Sequence, residues 1–126
     1  MLLRSYMSAK IHNATVTRSD LHYVGSITID KQLLELSGMQ KNERVLVVNN
    51  TSGSRLETYI IEGEYGSGSI EMNGAAAHLI HPGDEVIIMA FTLSTEPLEP
   101  TTLLVDKNNK FVRYLNEKGG AQISES

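Results

Sequence analysis

Along the chain, hydrophobic and polar positions either alternate over short stretches or gather in brief apolar runs, with dense turn chemistry between them. Ile27-Thr28-Ile29 is β-branched throughout, and Arg44–Val48 is a nearly continuous apolar run, as expected for a strand buried on both faces. Asn49-Asn50-Thr51-Ser52-Gly53-Ser54 marks a turn. Arg55–Glu62 then alternates, with Arg55, Glu57 and Tyr59 on one face and Leu56, Thr58 and Ile60 on the other. Gly63–Ser69 holds three glycines and reads as a loop. Val86–Phe91 predicts another buried strand, and Leu103–Val105 and Phe111–Leu115 flank the turn Asp106–Lys110. One helix is well signalled: Asp30 caps it, Lys31–Ser37 forms it and Gly38 ends it in a left-handed conformation. Ala75-Ala76-Ala77 begins a second, shorter helical turn, and the polar, Gly-rich tail 116–126 is expected to be disordered. Many short strands between turn signals predict a small barrel or sandwich.

The pattern also repeats. Gln40-Lys41-Asn42-Glu43-Arg44-Val45-Leu46-Val47 echoes His81-Pro82-Gly83-Asp84-Glu85-Val86-Ile87-Ile88. Each is a polar turn with an acidic residue, followed by an apolar strand. The echo suggests two similar halves closing one barrel, which would remove exposed strand edges. Chance recurrence of turn-then-strand is the rival explanation.

Composition narrows the chemistry. The 126 residues suffice for one domain with one core. There is no Cys, which excludes disulfides, thiolate nucleophiles and Cys-ligated metal centres, and fits a reducing compartment. A net charge of -4 does not favour nucleic acid. No stretch approaches the ~20 apolar residues of a membrane span, and Met1–Lys10 lacks a signal-peptide core. These features predict a soluble cytoplasmic protein without membrane or nucleic-acid partners. His78 and His81 have the spacing of some metal ligands, but with His12 and His22 they exhaust the histidines and no acidic cluster completes a site, so no metal is expected. Gly63-x-x-Gly66-x-Gly68 matches neither the dinucleotide fingerprint nor a P-loop, and Ser26 lacks a hydrolase elbow.

Three stretches together resemble the bacterial aspartate 1-decarboxylase family. They are Met7–His12 continuing to Leu21–Asp30, Asn49–Tyr59, and Asn73-Gly74-Ala75-Ala76-Ala77-His78 followed by Gly83-Asp84. The similarity covers roughly residues 4–115. It implies a six-stranded double-psi β-barrel with one or two short helices, spanning 1–115 as one domain, and a homotetramer with sites at subunit junctions. It further implies a precursor that cuts itself into 1–25 and 26–126. The activity implied is decarboxylation of L-aspartate to β-alanine through a Schiff base to a self-made pyruvoyl group, feeding pantothenate and coenzyme A synthesis. Pyridoxal phosphate would then not be needed. The residues leave open whether a helper protein speeds maturation.

The residues supply a chemical logic for that expectation. Decarboxylation beside an amine leaves electrons on carbon and needs an electron sink. Serine can provide one: the Ser26 hydroxyl attacks the Gly25 carbonyl to form an ester, elimination leaves dehydroalanine, and hydrolysis yields pyruvoyl and ammonia. Gly25, without a Cβ, is expected to leave its carbonyl open and to tolerate an unusual backbone. Thr58 is expected to donate to the oxyanion formed on Gly25. Arg55 is the candidate carboxylate anchor through its planar fork, with Lys10 a second cation whose N-terminal place suggests mobility. Tyr59 is the candidate proton donor, since a phenol with pKa about 10 stays protonated at neutral pH. Asn73, Gly74, Ala75 and Ala76 read as a turn into a helix that could cradle the cofactor carbonyl or the substrate. Without the family context each has a commoner meaning: a Gly-Ser turn, a β-branched strand residue, solvated charges, a half-buried tyrosine, a strand-to-helix connection. The alternatives in function are a non-catalytic small β-barrel acting as a binding or assembly module, and an uncut inactive homologue. A denaturing gel separates them from the enzyme, which would show two bands.

Overall fold

The computed structural model describes residues 1–116, and the tail expected to be disordered lies almost wholly outside them. Nine strands form one continuous hydrogen-bonded sheet. They are β1 (Arg4–Thr15), β2 (Arg18–Asp20), β3 (Ser26–Asp30), β4 (Arg44–Asn49), β5 (Arg55–Gly63), β6 (Ile70–Asn73), β7 (Glu85–Ser94), β8 (Thr101–Val105) and β9 (Phe111–Leu115). Their order is β2-β6-β3-β5-β4-β7-β1-β8-β9. The sheet wraps one apolar core that draws on β1 and β3–β8 together with the helix α1 (Lys31–Ser37). A small, mainly β barrel is therefore present, with nine strands rather than the six expected.

The extra strands lie where hydrophobic patterning is weakest. β2 has three residues and β6 four, too short to carry a period. The major omission is β1, the longest element at 12 residues, antiparallel to β7 and parallel to β8. Its polar residues and two register shifts against β7 hide the alternation, and Asn13 takes a positive φ of 66° inside the second shift. Lys10 thus sits in the best-anchored strand, paired with Met89 and Thr102, and is not on a mobile end. A second correction concerns β4 and β7. Val45, Val47, Val86, Ile88 and Ala90 are buried, while Leu46, Val48, Ile87 and Met89 are only half-buried, so each strand has one core face within this chain.

α1 forms as the sequence indicates. Asp30 accepts from the Gln32 amide at 2.8 Å, and Gly38 ends the helix at φ 80°. Asp30 is almost fully buried and also accepts from the amides of Gly66 and Gly68, both at 2.8 Å. One carboxylate thereby ties the Gly-rich loop after β5 to the start of α1. Asn109 secures the loop from the other side: its amide donates to the carbonyls of Thr15 and Gly68, and its oxygen accepts from the Thr15 N–H. A Cβ at Gly68 would lie 2.6 Å from the Asn108 carbonyl oxygen, which explains that glycine. The loop's glycines are therefore structural.

The sequence echo is a repeated structure. In one turn Glu43 N–H donates to Gln40 O and the Glu43 carboxylate accepts from Gln40 N–H; in the other, Asp84 and His81 do the same. The third residue is left-handed in both, Asn42 at φ 71° and Gly83 at φ 88°. Each turn then exchanges two bonds with a distant segment: Asn42 and Glu43 with Ile60 in β5, Gly83 and Asp84 with Val16 just after β1. The strands that follow, β4 and β7, pair antiparallel about Val47 and Ile88.

The His81 backbone N–H, followed by the Asn49 amide and the nearby His81 ring, holds the Asp84 carboxyl below its ordinary value of 3.8, against the opposing effect of burial. A carboxylate with a depressed folded-state pKa stabilises above its unfolded pKa, and that contribution disappears as pH falls through the folded value. Asp84→Asn is therefore expected to flatten the loss of stability below about pH 4, measured as denaturant midpoints from pH 7 to pH 2.5. An unchanged acid limb would show that Asp84 contributes nothing to it.

Candidate active site

Register decides which candidate residues meet. Residues paired across a sheet share a face. Ile27 pairs with Ile60, and both are fully buried in the core. The neighbouring position on each strand therefore faces away from the core, and continuing the register sets Ser26 level with Tyr59. Tyr59 pairs with Arg44, and Val48 pairs with Arg55. Lys10, Met89, Leu46 and Glu57 form one row across β1, β7, β4 and β5. Ser26, Tyr59, Arg55 and Lys10 consequently lie on a single outward face. Burial along β5 follows the expected alternation: Arg55 and Glu57 are exposed, while Leu56 packs on the core and Ile60 is enclosed. Thr58 points the other way, inward, paired with Val45, and continued register brings it level with Gly25.

Ser26 is fully buried although it faces away from the core, because β6 and the segment before it cover it. Its hydroxyl donates to the Val24 carbonyl at 3.2 Å and accepts from the Asn73 side-chain amide at 2.9 Å. The same amide donates to the Thr28 hydroxyl at 3.0 Å. Asn73 is thus a fixed partner of Ser26 before any substrate is present, and Thr28 is a member of the cluster that residue patterns did not single out. The alternating Ser26-Ile27-Thr28 side chains were the available signal.

Two expectations about the junction change. A Cβ at Gly25 would meet nothing within 4 Å, and Gly25 is not among the residues of positive φ. The junction is exposed up to Gly25, so sterics do not require glycine there. The demand falls on Gly74, at φ 66°, where a Cβ would stand 2.7 Å from Gly25 Cα and 2.8 Å from Gly25 N. The Asn73–Ala76 segment opens a 3₁₀ turn, Gly74–His78, of only five residues. So short a turn develops little of a helix dipole, and its contribution is close backbone approach instead.

Arg55 is exposed and makes no hydrogen bond or ion pair among the described residues, so its guanidinium is available. Arg44 on the same face is 3.3 Å from Glu57. A groove of about 330 Å³ on this face is lined by Arg44, Leu46, Glu57 and Phe91 among others. A larger one, about 480 Å³ between Asn13, Glu85, Leu104 and Lys107, contains none of the candidate residues. The smaller groove holds none of them either, but it lies on the face that carries Arg55, Tyr59 and Lys10.

Comparison with known proteins bears directly on this arrangement. The aspartate decarboxylase family profile matches residues 2–112, nearly the whole of the described chain. The chain belongs to the aspartate decarboxylase family. It is 49% identical over 126 residues to a Bacillus pumilus protein named aspartate 1-decarboxylase, covering 97% of this chain and 99% of that one. A Caldicellulosiruptor saccharolyticus protein of the same name is 50% identical over 121 residues, covering 93% and 94% of the two chains. One from Chlorobium chlorochromatii is 55% identical over 107 residues, covering 82% and 83%. Membership accounts for all three stretches of resemblance and for the mainly β barrel that carries them.

Proposed function

We propose that this chain decarboxylates L-aspartate to β-alanine and carbon dioxide, using a pyruvoyl group made from its own Ser26. The product's use in pantothenate and coenzyme A synthesis follows from that activity. Family membership and the names of the relatives support the reaction. The observation that carries the cofactor assignment is Ser26 itself: a wholly buried hydroxyl, gripped by Asn73, directly after an exposed Gly25.

The residues present fit a pyruvoyl group at position 26. Gly74 lets the Gly25 backbone lie directly against the turn, where a Cβ would clash, and the Asn73 amide already donates to the oxygen of residue 26. A terminal keto carbonyl there supplies the sink for electrons left on carbon. The chain's own residues do the rest. In the precursor, Asn73 holds Ser26 Oγ while the hydroxyl turns from the Val24 carbonyl to attack the carbon of Gly25. The new C–O bond replaces the Gly25–Ser26 amide bond, and the proton lost by the hydroxyl passes to the freed amine. Thr58, level with Gly25 on β5, donates to the oxyanion in passing. Arg55 binds one substrate carboxylate through its fork, Lys10 adds charge on the same face, and Tyr59, level with residue 26, hands a proton to the reacting carbon. Ala75 and Ala76 keep the turn after Gly74 slim enough for substrate to approach.

The same face supports a homotetramer. Leu46, Val48, Ile87 and Met89 are half-buried, and Phe91 and Leu93 are exposed beside them, an apolar strip between Arg55 and Lys10 that a second copy would cover. The absence of cysteine and of a helix long and apolar enough to cross a membrane among the described residues accords with a cytoplasmic enzyme.

Light scattering at micromolar concentration should give about four times the chain mass, whereas a monomer would leave the apolar strip without its covering. Tyr59→Phe should mature normally and lose turnover by a factor on the order of 10² or more; steady-state rates on the cleaved protein equal to wild type would assign the proton to another group. The central test is intact mass with Edman degradation. Wild type should split into 1–25 and a blocked 26–126 chain, lighter by one ammonia than a fragment beginning with serine, while Ser26→Ala stays whole and inactive. Full activity from the uncut chain or from Ser26→Ala would refute the pyruvoyl assignment.

A further inference from the structure

We infer that Arg44 is a positioning residue for substrate binding: it holds the Glu57 carboxylate away from Arg55, so that the Arg55 guanidinium stays open for a carboxylate of the substrate. This rests on the reading of Arg55 above. The outward face of β5 carries Arg55, Glu57 and Tyr59 in succession. Side chains two residues apart on one strand face stand only about 6.5–7 Å apart at their Cα atoms. Glu57 is therefore a built-in carboxylate within easy reach of the cation that is to receive a substrate carboxylate. Both are exposed, so nothing in the packing keeps them apart.

The neighbouring strand settles the contest. Directly across β4, Arg55 faces Val48, Glu57 faces Leu46 and Tyr59 faces Arg44. Arg44 is thus diagonal to Glu57, on the side away from Arg55, and its Nε stands 3.3 Å from Glu57 Oε2. Lys10 shares the Glu57 row but lies three strands off, about 14 Å away at ordinary strand spacing. Within the chain, Arg44 and Arg55 are therefore the two cations that flank Glu57 on this face, and the carboxylate goes to Arg44. The side chains of the pair are 83% and 60% exposed, so the contact adds little to stability. Its effect is directional: without Arg44, the remaining cation beside Glu57 is Arg55, and each closure of that pair would occupy the fork that binds substrate. An exposed pair of this kind shifts an equilibrium by a factor of about 1.5–5, and apparent substrate affinity would fall by a similar factor.

The test is steady-state kinetics with L-aspartate on the full chain, per cleaved chain counted by intact mass. The inhibition constant of succinate, a dicarboxylate without the reacting amine, is measured beside it. Arg44→Ala should raise KM and the succinate constant together by about two- to fivefold. Its kcat should stay within about twofold of wild type, the pattern of lost binding and not of lost chemistry. Arg44→Lys keeps a cation beside Glu57 and should recover most of the effect. Glu57→Gln alone should change little, and Arg44→Ala with Glu57→Gln should return both constants to the wild-type level, because the competing charge is gone. An unchanged KM in Arg44→Ala would overturn the proposal, and so would a fall in kcat at constant KM. A raised KM that Glu57→Gln does not restore would mean that Arg44 meets the substrate itself or supports the fold, and would overturn it equally. Arg55→Ala keeps the two readings apart. If its KM matches wild type, the anchor lies elsewhere and both readings fall; a large rise there beside an unmoved Arg44→Ala removes only the role of Arg44.

Discussion

The architecture depends on two turns that each bind a segment far away in sequence. At Gln40–Glu43 and His81–Asp84 an acidic side chain closes the turn on its own first N–H, and a left-handed third residue aims the next two backbone groups at Ile60 and Val16. The two bonds at each place are short-range in space but long-range along the chain. They bring β4 and β7 side by side in the middle of the sheet, with their core faces in register. The central pairing in turn sets the outward face on which Arg55, Tyr59 and Lys10 stand. An error of one residue in either turn would send these side chains into the core.

How far the sequence carries the fold can be judged strand by strand. β3, β4, β5, β7, β8 and β9 were legible because their branched or alternating residues have a clear period, and α1 because Asp30 and Gly38 bracket it. The twin turns were legible because Asn42 and Gly83 occupy equivalent places before similar apolar runs. β1 was not, since its side chains serve two partner strands and its register slips twice against β7. Nor could local pattern reveal that Leu46, Val48, Ile87 and Met89 are only half-covered within one chain. A continuous apolar run looks the same whether its second face meets its own core or another surface.

The site divides along the same line. Ser26, Arg55, Thr58 and Tyr59 were named from residue type and family context; the register sets Ser26, Tyr59 and Arg55 on one face, because β3 and β5 run parallel and Ser26 and Tyr59 come level, and turns Thr58 inward. Thr28 and the crowding at Gly74 were invisible, because each depends on a contact between residues nearly fifty positions apart. Glycine at 25 looked meaningful for its neighbour's sake. The space around the two shows that the glycine under steric demand is the one facing it.

β1 has a consequence for what a cut at Gly25 would leave behind. The strand is held by β7 along most of its length and by β8 along part of it, and Ala9, Ile11 and Ala14 lie in the core. A peptide of 25 residues would therefore stay in place without a covalent link, as one half of a fragment complex. Folding of the intact chain is unimolecular, whereas re-forming the complex is bimolecular and depends on concentration. Maturation would thus act as a one-way valve on assembly: the molecule must reach its native state while still whole, and a cut molecule that unfolds at cellular dilution loses the tether that brought its longest strand home.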